Sequence, residues 1–291
     1  MLSNPGGKLR DLINEENIIV APGAYDGISA RLIKEAGYKV IYRTGGGAAA
    51  SVLGQPDIGL MTLTEMVTHA ANMAEAVDLP IIADADTGYG NVLNTIRTVH
   101  EFERAGVAAI HLEDQIFPKR CGHLAGKQVI AKDEFAQKIK AASTERYCKD
   151  FVIIARTDAR AVEGFEKAIE RCKNYVEAGA DVIFFEAPES IEEIEKIPKE
   201  LKGIPVLINM ATGGKTPSVN IKDLEQMGYK IVIFPAICMS PALLTMREAL
   251  KYLAEHGTDI GYVDPAIVSP LELFKVVGIE EWQKLEKKYS N

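Results

Sequence analysis

Residues 107–123 read Val-Ala-Ala-Ile-His-Leu-Glu-Asp-Gln-Ile-Phe-Pro-Lys-Arg-Cys-Gly-His, an apolar run that ends abruptly in two carboxylates. The same stretch then adds a thiol and an imidazole beside two cations and a glycine. The apolar run predicts a buried strand. The polar groups predict a functional loop at its carboxyl end, and the plainer alternative is a solvated loop with one incidental cysteine.

Short runs of this kind recur along the chain, rich in β-branched residues and nearly continuous in apolar character. Such runs are typical of parallel strands that are covered on both faces. The predicted strands are Ile18–Ala21, Lys39–Arg43, Pro80–Ala83, Val107–Leu112, Phe151–Ala155, Asp181–Phe185, Pro205–Ile208 and Lys230–Phe234. Amphipathic helical patterns separate them. Several of these patterns end in Ala-Gly, where the glycine supplies the left-handed residue that terminates a helix.

Eight strand–helix units without an intervening linker predict the α/β class and a (β/α)8 TIM-type barrel. We expect residues 1–291 to form one domain, with 270–291 as a C-terminal helical extension. A doubly wound open sheet is the main alternative, but it would spread the polar residues that follow the strands along a crevice. In a barrel the carboxyl ends of all strands surround one mouth, so those residues converge.

The charge and the composition of the chain argue against several classes of function. The formal net charge of -8 and the pI of about 5.3 argue against a nucleic acid or an anionic membrane as a partner. No apolar run approaches the length of a membrane span, and the N-terminus lacks the pattern of a signal peptide. The cysteines form no CxxC pair, which suits a reducing cytoplasm, and the histidines lack zinc-binding spacing.

Three carboxylates follow two successive predicted strands. Asp84 and Asp86 lie in the segment Asp84–Gly88, and Glu113 follows the next strand. Unpaired carboxylates crowded at one mouth would repel one another, and Mg²⁺, or Mn²⁺ in its place, would relieve that repulsion. The pattern therefore predicts a divalent-metal site, with a helix-capping aspartate pair as the alternative.

Other strand ends supply groups that suit an anionic substrate. Thr44–Gly47 reads Thr-Gly-Gly-Gly and leaves backbone N–H groups open to a ligand, although a plain turn would use the same residues. Asp57, in the following loop, suits a general base or a helix cap. Arg156 is expected to bind a carboxylate or an oxyanion, or else to pair with Asp158 or Glu186. The polar residues that follow strands six and seven are Glu186 and Asn209.

The loop 116–127 carries the thiol. Cys121 lies within the run Lys119–His123, whose cations are expected to lower its pKa and make it a proton donor or a nucleophile. Gly122 and Gly126 supply the flexibility that would let this loop act as a lid over the site.

From about Pro22 to its C-terminus the chain resembles the isocitrate lyase/phosphoenolpyruvate mutase superfamily. The segments that carry the resemblance are Asp84-Ala85-Asp86-Thr87-Gly88, Glu113-Asp114-Gln115, Lys119-Arg120-Cys121-Gly122-His123, Ala155-Arg156-Thr157-Asp158-Ala159 and Asn209-Met210. The Lys-Arg-Cys-Gly-His loop is the specific part, because it marks the carbon–carbon lyase branch. The resemblance implies a Mg²⁺-dependent homotetramer that exchanges a C-terminal helix between subunits, for which Pro270–Tyr289 is the candidate.

The resemblance also implies the chemistry, a retro-aldol cleavage of a small 2-hydroxy or 2-oxo acid. A base removes the hydroxyl proton, the carbon–carbon bond breaks, and Cys121 protonates the resulting enolate. The implied catalytic residues are Cys121, Arg156, Asp57 and Tyr42. The implied substrate-binding residues are Thr44, Gly45, Gly46, Gly122, His123, Arg156, Glu186 and Asn209, and the implied metal ligands are Asp84, Asp86 and Glu113.

The substrate is expected to be a 2-hydroxy dicarboxylate such as 2,3-dimethylmalate, cleaved to pyruvate and a short carboxylic acid. Methylisocitrate lyases hold the extra carboxylate of a tricarboxylic acid with arginines that the stretches 237–241 and 268–270 lack, and the segment 209–214 also departs from theirs. Leaving that carboxylate unpaired would cost on the order of several kcal/mol. The first alternative is the cleavage of methylisocitrate to pyruvate and succinate, in which Arg247 or another cation would replace the missing arginines. The others are the hydrolysis or decarboxylation of oxaloacetate, a phosphonate-forming phosphomutase reaction, and a non-catalytic binding protein.

Overall fold

Parallel strands form a closed barrel, in which each strand pairs with the next along the chain and β8 pairs with β1. The computed structural model describes residues 2–290. The strands are β1 Ile19–Ala24, β2 Ile41–Arg43, β3 Ile81–Asp84, β4 Ala109–Glu113, β5 Val152–Thr157, β6 Val182–Phe185, β7 Val206–Asn209 and β8 Ile231–Phe234. The barrel fold and every predicted strand are confirmed.

Helix α1 precedes the first strand, and the other helices follow the strands. The helices are α1 Pro5–Asn14, α2 Gly27–Glu35, α3 Gly45–Ala48, α4 Leu63–Ala76, α5 Val92–Arg104, α6 Lys132–Glu145, α7 Arg160–Glu163, α8 Phe165–Glu177, α9 Ile191–Glu200, α10 Ile221–Met227, α11 Met239–His256, α12 Pro265–Val268, α13 Pro270–Val276 and α14 Ile279–Tyr289. A short π-helix, Ala49–Leu53, continues α3. The Ala-Gly helix ends form as predicted, because Gly37, Gly106 and Gly179 have φ values of 84°, 80° and 105°.

Strand β1 continues to Ala24, beyond the predicted end at Ala21. The sequence suggested an earlier end because Pro22 and Gly23 usually interrupt strands. Pro22 nevertheless pairs in register with Phe234, and a Cβ on Gly23 would lie 2.2 Å from the Pro235 carbonyl oxygen. Glycine therefore permits the close approach that carries both β1 and β8 to the mouth of the barrel.

Side chains alternate between two cores along the strands. Inward-facing residues such as Ile82, Ile154 and Phe184 fill the barrel, and Leu9 and Leu12 of α1 pack against them. Outward-facing residues pack against the surrounding helices in a second, larger core. The interior is thus filled with side chains, so a ligand can reach only the ends of the strands.

The same alternation directs polar side chains into the mouth. At several strand ends, an outward-facing apolar residue is followed by an inward-facing polar one. These pairs are Ala83–Asp84, Leu112–Glu113, Ala155–Arg156, Phe185–Glu186 and Ile208–Asn209. The apolar member of each pair belongs to the outer core, so the strand end is held rigidly and the polar member is directed inward.

The helix after β8 does not complete the barrel wall. Helix α11 has no buried residue. An apolar groove of about 290 Å³, lined by residues of α2, β1, α10 and β8, lies on the outside of the barrel. Residues 270–290 form α13 and α14, and α13 contacts α2.

Within residues 2–290, no helix has the length and apolar character needed to cross a membrane.

Candidate active site

The strand ends surround one cavity of about 190 Å³. It is lined by the following residues that the sequence singled out: Tyr42, Thr44, Gly46, Asp57, Asp84, Cys121, Gly122, His123, Arg156, Glu186 and Asn209. Gly45, Asp86 and Glu113 lie next to these residues without lining the cavity. The structure therefore brings together side chains that are up to 167 positions apart in sequence, from Tyr42 to Asn209.

Asp84 and Asp86 are fixed by the turn that follows β3. Asp84 Oδ1 accepts a hydrogen bond from the Asp86 backbone N–H at 3.0 Å. Asp86 has a φ of 46°, a left-handed conformation that is uncommon for a residue with a side chain. Helix α5 is capped by Asn91, so the capping alternative for the two aspartates is wrong.

The two aspartates differ in their affinity for protons. Burial raises the pKa of Asp86 to about 6, although Lys119 opposes the shift. For Asp84, burial opposes ionisation, but its neighbours hold the pKa below the ordinary value. Those neighbours are His111, Lys119 and Arg156. Because burial also lowers the pKa of His111 to about 4, His111 is neutral at pH 7, and the two permanent cations keep Asp84 ionised there.

Glu113 is fully buried, and neither of its carboxylate oxygens has a hydrogen-bond partner. Arg156 Nε lies 3.4 Å from Glu113 Oε2. Burial raises the pKa of Glu113 well above its usual range. A buried carboxyl group without partners is costly, so Glu113 is a group that a bound ligand would satisfy.

These carboxylates fit a divalent cation that keeps most of its water. Within residues 2–290, no three His, Cys, Asp or Glu side chains are arranged to chelate an ion directly. Mg²⁺ usually retains several waters and is bound through one or two carboxylates. Neither oxygen of Glu113 has a hydrogen-bond partner, so both can accept from such waters, whereas Asp86 Oδ1 has the Lys119 ammonium 3.0 Å away. Asp84, Asp86 and Glu113 are therefore suited to hold hydrated Mg²⁺ or Mn²⁺.

Lys119 belongs to the loop 116–127, and its ammonium group lies among the carboxylates of the site. Its Nζ donates a hydrogen bond to Asp57 Oδ1 at 2.5 Å and lies 3.0 Å from Asp86 Oδ1. Burial opposes the charge, but Asp86 and Asp84 raise the pKa of Lys119 well above its usual range, so Lys119 stays charged. Asp57 is therefore an ion-pair partner at the cavity and not a helix cap, because Thr62 caps α4.

Arg156 is ion-paired and also lines the cavity. Its Nε and Nη2 donate to Asp158 at 2.9 and 3.2 Å, and Nη2 lies 3.4 Å from Glu186 Oε2. Both ion pairs that the sequence offered as alternatives are thus present. A guanidinium has five N–H donors, so Arg156 retains donors for a ligand carboxylate.

Tyr42 forms a buried pair with His111. The Tyr42 hydroxyl lies 2.9 Å from His111 Nε2. Burial, reinforced by Asp84, raises the pKa of Tyr42 well above its usual range. Tyr42 is therefore a protonated phenol at neutral pH, which makes it a hydrogen-bond donor and a poor general base.

Cys121 lies on the loop beside the cavity, and the expectation that its pKa is lowered is wrong. Burial raises the pKa of the thiol, and the Asp57 carboxylate adds to this effect. Lys119, which the sequence suggested would lower it, pairs with Asp57 and Asp86 instead. At neutral pH Cys121 is a protonated thiol, suited to proton donation and not to attack as a thiolate.

Thr44–Gly47 starts the short helix α3 and is not a plain turn. The Thr44 hydroxyl accepts a hydrogen bond from the Gly47 N–H at 3.4 Å, and Thr44, Gly46 and Gly47 line the cavity. Gly45 has another role. A Cβ there would lie 2.2 Å from Asp84 Oδ2, so glycine allows the ends of β2 and β3 to approach each other.

His123 connects the loop to the strand ends. Its Nε2 lies 3.2 Å from Asn209 Nδ2 and 3.4 Å from Glu186 Oε1, and its Nδ1 accepts from the Lys215 N–H at 3.2 Å. The backbone N–H of Cys121 also donates to the Asp57 carbonyl oxygen at 3.2 Å. The loop is therefore closed over the cavity in this structure.

Several site residues were missed by the sequence reasoning. His111 lies two positions before Glu113 on β4, so the inward-facing alternation of the strand was the signal that could have found it. Further lining residues follow β7 and β8. They are Ala211, Pro235, Ala236 and Met239. These residues are apolar and carry no chemical signature, and they give the cavity one apolar side.

Residues 9–254 match the family model described as phosphoenolpyruvate phosphomutase. The chain is 44% identical over 287 residues to 2,3-dimethylmalate lyase of Eubacterium barkeri, with 99% of each chain covered. It is 43% identical over 289 residues to 2-methylisocitrate lyase of Aeropyrum pernix, with 99% of this chain and 92% of the relative covered.

Solved structures have the same fold over almost the full length of the chain. A structure of oxaloacetate acetylhydrolase in complex with the inhibitor 3,3-difluorooxalacetate has a TM-score of 0.95 and 40% identity, covering 99% of this chain and 98% of the other. A structure of phosphonopyruvate hydrolase in complex with oxalate and Mg²⁺ has a TM-score of 0.88 and 29% identity, covering 99% of this chain and 100% of the other.

Proposed function

Starting from the fact that the chain belongs to the phosphoenolpyruvate mutase/isocitrate lyase superfamily, we propose that it is a carbon–carbon lyase. Its substrate is a 2-hydroxy dicarboxylate of the 2,3-dimethylmalate type, and its products are pyruvate and a short carboxylic acid. The observation that carries this proposal is the protonated Cys121 thiol, held beside the cavity that contains Arg156. Cleavage of a carbon–carbon bond needs a proton for the carbanion that it leaves, whereas a phosphonate-forming rearrangement needs none.

The cavity supplies partners for both ends of a short dicarboxylate. The N–H groups around Thr44–Gly47 bind the carboxylate beside the hydroxyl-bearing carbon, and Arg156 binds oxygens at which negative charge develops. Asn209 and His123 contact the second carboxylate from the side of the closed loop. When bound, the divalent cation held by the site carboxylates polarises the hydroxyl and stabilises the developing negative charge.

Two proton transfers complete the reaction. The carboxylate of Asp57 accepts the hydroxyl proton, while the protonated Tyr42 serves as a hydrogen-bond donor. The C2–C3 bond then breaks, C2 becomes the ketone carbon of pyruvate, and the electron pair passes to C3 beside its carboxylate. The S–H group of Cys121 donates its proton to C3, and the short acid is released. The proton on Asp57 returns to the thiolate through water, which restores both groups.

The cavity favours a methyl-branched dicarboxylate over a tricarboxylate. Among its lining residues in the described part of the chain, Arg156 is the one arginine and there is no lysine. Arg247, which was considered as a replacement cation, is exposed on α11 and does not line the cavity of its own chain. The apolar side formed by Pro235, Ala236 and Met239 suits methyl groups, whereas a third carboxylate would be left without a partner there.

Pyruvate formation, coupled to lactate dehydrogenase in the presence of Mg²⁺, tests the proposal. We expect turnover of 2,3-dimethylmalate at a kcat/KM at least tenfold above that of methylisocitrate and 2-methylmalate. Preference for methylisocitrate would refute the substrate assignment but keep the lyase. Oxalate release from oxaloacetate, followed in parallel, would indicate a hydrolase, and conversion of phosphoenolpyruvate seen by phosphorus NMR would indicate a mutase.

We further propose that the enzyme is a homotetramer in which a segment beginning at α11 is exchanged between subunits. Apolar residues recur along α11 at spacings of three and four, and all of them are exposed. They are Leu243, Met246, Leu250 and Leu253. A helix with such a face is normally packed against a partner. The groove lined by Leu32, Ile33, Ile221 and Phe234 supplies an apolar surface of matching character. In this proposal the exchanged segment begins at α11, whereas the sequence led us to expect Pro270–Tyr289. The cytoplasmic location stays a prediction.

A further inference from the structure

The loop 116–127 ends in a buried cation that the proposed reaction does not use. Lys127 is 7% exposed. Its Nζ donates hydrogen bonds to the Gly122 carbonyl oxygen at 2.5 Å and to Asp158 Oδ1 at 2.8 Å. A buried ammonium group is costly unless it is paired and hydrogen-bonded, and these two acceptors compensate that cost.

Asp158 has a second cationic partner besides Lys127. Arg156 already donates two hydrogen bonds to its carboxylate, and the Asp158 backbone N–H is held by Asp114 Oδ1 at 2.8 Å. Arg156 is also shared with Glu113 and Glu186, each 3.4 Å away. Burial opposes the ionisation of Asp158, and Arg156 and Lys127 together hold its pKa below the ordinary value. The distinctive contact of Lys127 is the one to the Gly122 carbonyl oxygen, which belongs to the loop that covers the cavity.

Gly122 approaches the strand ends closely. A Cβ on Gly122 would lie 2.5 Å from Arg156 Nη2 and 2.7 Å from Glu186 Cγ. Cys121 and His123 are its immediate neighbours, so the position of the Gly122 carbonyl sets the position of the thiol. A charged donor on that carbonyl restrains the loop more strongly than a neutral one would.

We propose that Lys127 is a positioning residue, which holds the Cys121–His123 segment against Arg156 through the Gly122 carbonyl and thereby places the thiol over the reacting carbon. Lys127 and Arg156 both donate hydrogen bonds to the Asp158 carboxylate, so the loop and the guanidinium are held by the same residue. The effect of Lys127 on turnover rests on the proposed lyase function. Its effect on the loop does not, because the exposure of Cys121 can be measured without a substrate.

The variant Lys127→Met keeps the aliphatic stem and removes the ammonium group. Losing a hydrogen bond to a charged donor is expected to make alkylation of Cys121 by iodoacetamide about tenfold faster, because the loop opens more often. Alkylation is quantified site by site by peptide mass spectrometry, so that Cys148, which is exposed, and Cys172, which is buried, serve as internal references. We expect kcat for the preferred acid to fall at least tenfold, with a smaller change in KM.

Lys132→Met is the matched control, because Lys132 lies on α6 and pairs with Glu170 at the surface. We expect it to leave Cys121 alkylation and kcat unchanged. Lys127→Gln repeats the test if Lys127→Met does not fold. Faster alkylation confined to Cys121 supports the proposal. Unchanged Cys121 alkylation in a folded Lys127 variant, or equal acceleration at Cys172, overturns it. If no acid is turned over at all, the lyase proposal fails while the alkylation result still decides the role of Lys127.

Discussion

Replacing Gly122 by alanine tests whether the closed loop is the active arrangement. Gly122 does not have a positive φ, so alanine adds no backbone strain. The change is purely steric, because the new methyl group would lie 2.5 Å from Arg156 Nη2 and 2.8 Å from Glu186 Cδ. Arg156 is held by its hydrogen bonds to Asp158, and Glu186 is fully buried. Moving either side chain away from the new methyl group would therefore cost free energy. We expect the loop to move outward instead.

The size of the effect follows from the size of the clash. Restoring an ordinary contact of about 3.5 Å requires a displacement of about 1 Å. A displacement of that size in a catalytic group typically costs about 100-fold in rate, or about 2.7 kcal/mol of transition-state stabilisation. We therefore expect kcat/KM for Gly122→Ala to fall about 100-fold, mostly through kcat, because Cys121 moves away from the carbon that it protonates.

The pyruvate-coupled assay measures this loss, and thermal unfolding checks the fold. The melting temperature should stay within about 3 °C of the wild type, because a loop displacement leaves both cores intact. Gly27→Ala is the matched control, since a Cβ at Gly27 meets nothing within 4 Å. Activity of Gly122→Ala within twofold of the wild type would refute the reasoning, because the loop would then work equally well without its contact to Arg156.

Four further predictions follow from the site and the fold. Cys121→Ala should abolish turnover and leave Mn²⁺ binding, measured by electron paramagnetic resonance, unchanged; wild-type kinetics would remove Cys121 from the mechanism. Asp84→Ala should lose both turnover and Mn²⁺ binding, and activity that persists without a metal would contradict the metal assignment. Leu250→Glu should shift the oligomer towards monomer in light scattering, because it places a charge on the apolar face of α11, whereas an unchanged mass would exclude this face from the interface. His69→Gln should reduce the loss of stability on acidification. Burial lowers the pKa of His69 to about 4, below the usual value of about 6.5, so the folded state favours the neutral imidazole. The contribution of His69 to the free energy of unfolding is therefore fully present above pH 6.5 and is lost as the pH falls towards 4. Equal melting-temperature profiles over that range would exclude His69 as the cause.

Strand number and the location of the site could be predicted because both depend on local pattern. Apolar runs followed by polar residues reveal the strands and the end at which they carry chemistry. The features that could not be predicted depend on contacts between segments that are distant in sequence. Strand β1 continues through Gly23 because Pro235 approaches it closely, and nothing near Gly23 in sequence indicates this. His111 was overlooked because it stands inside an apolar run, although its register with Glu113 fixes its direction.

The protonation state of Cys121 could not be predicted from neighbouring residues in sequence. Adjacent cations suggested a lowered pKa, but the folded loop directs Lys119 to Asp57 and Asp86 and buries the thiol. The exposed face of α11 could not be predicted either. An amphipathic helix has the same pattern whether it packs on its own barrel or on that of a neighbour, so only the folded chain reveals that its apolar side is uncovered.

At five strand ends the polar residue in the mouth follows a residue of the outer core, so two sets of positions can be varied for different purposes. A library at Ala83, Ala155 or Ile208 would vary the packing beneath the helices without adding a group to the cavity. A library at Ala236 or Met239 would reshape the apolar side of the cavity, at positions that belong to neither core. Directed evolution of this barrel towards bulkier acids can therefore begin at Ala236 and Met239, because changes at the outer-core positions would also move the strand ends that hold the polar site residues.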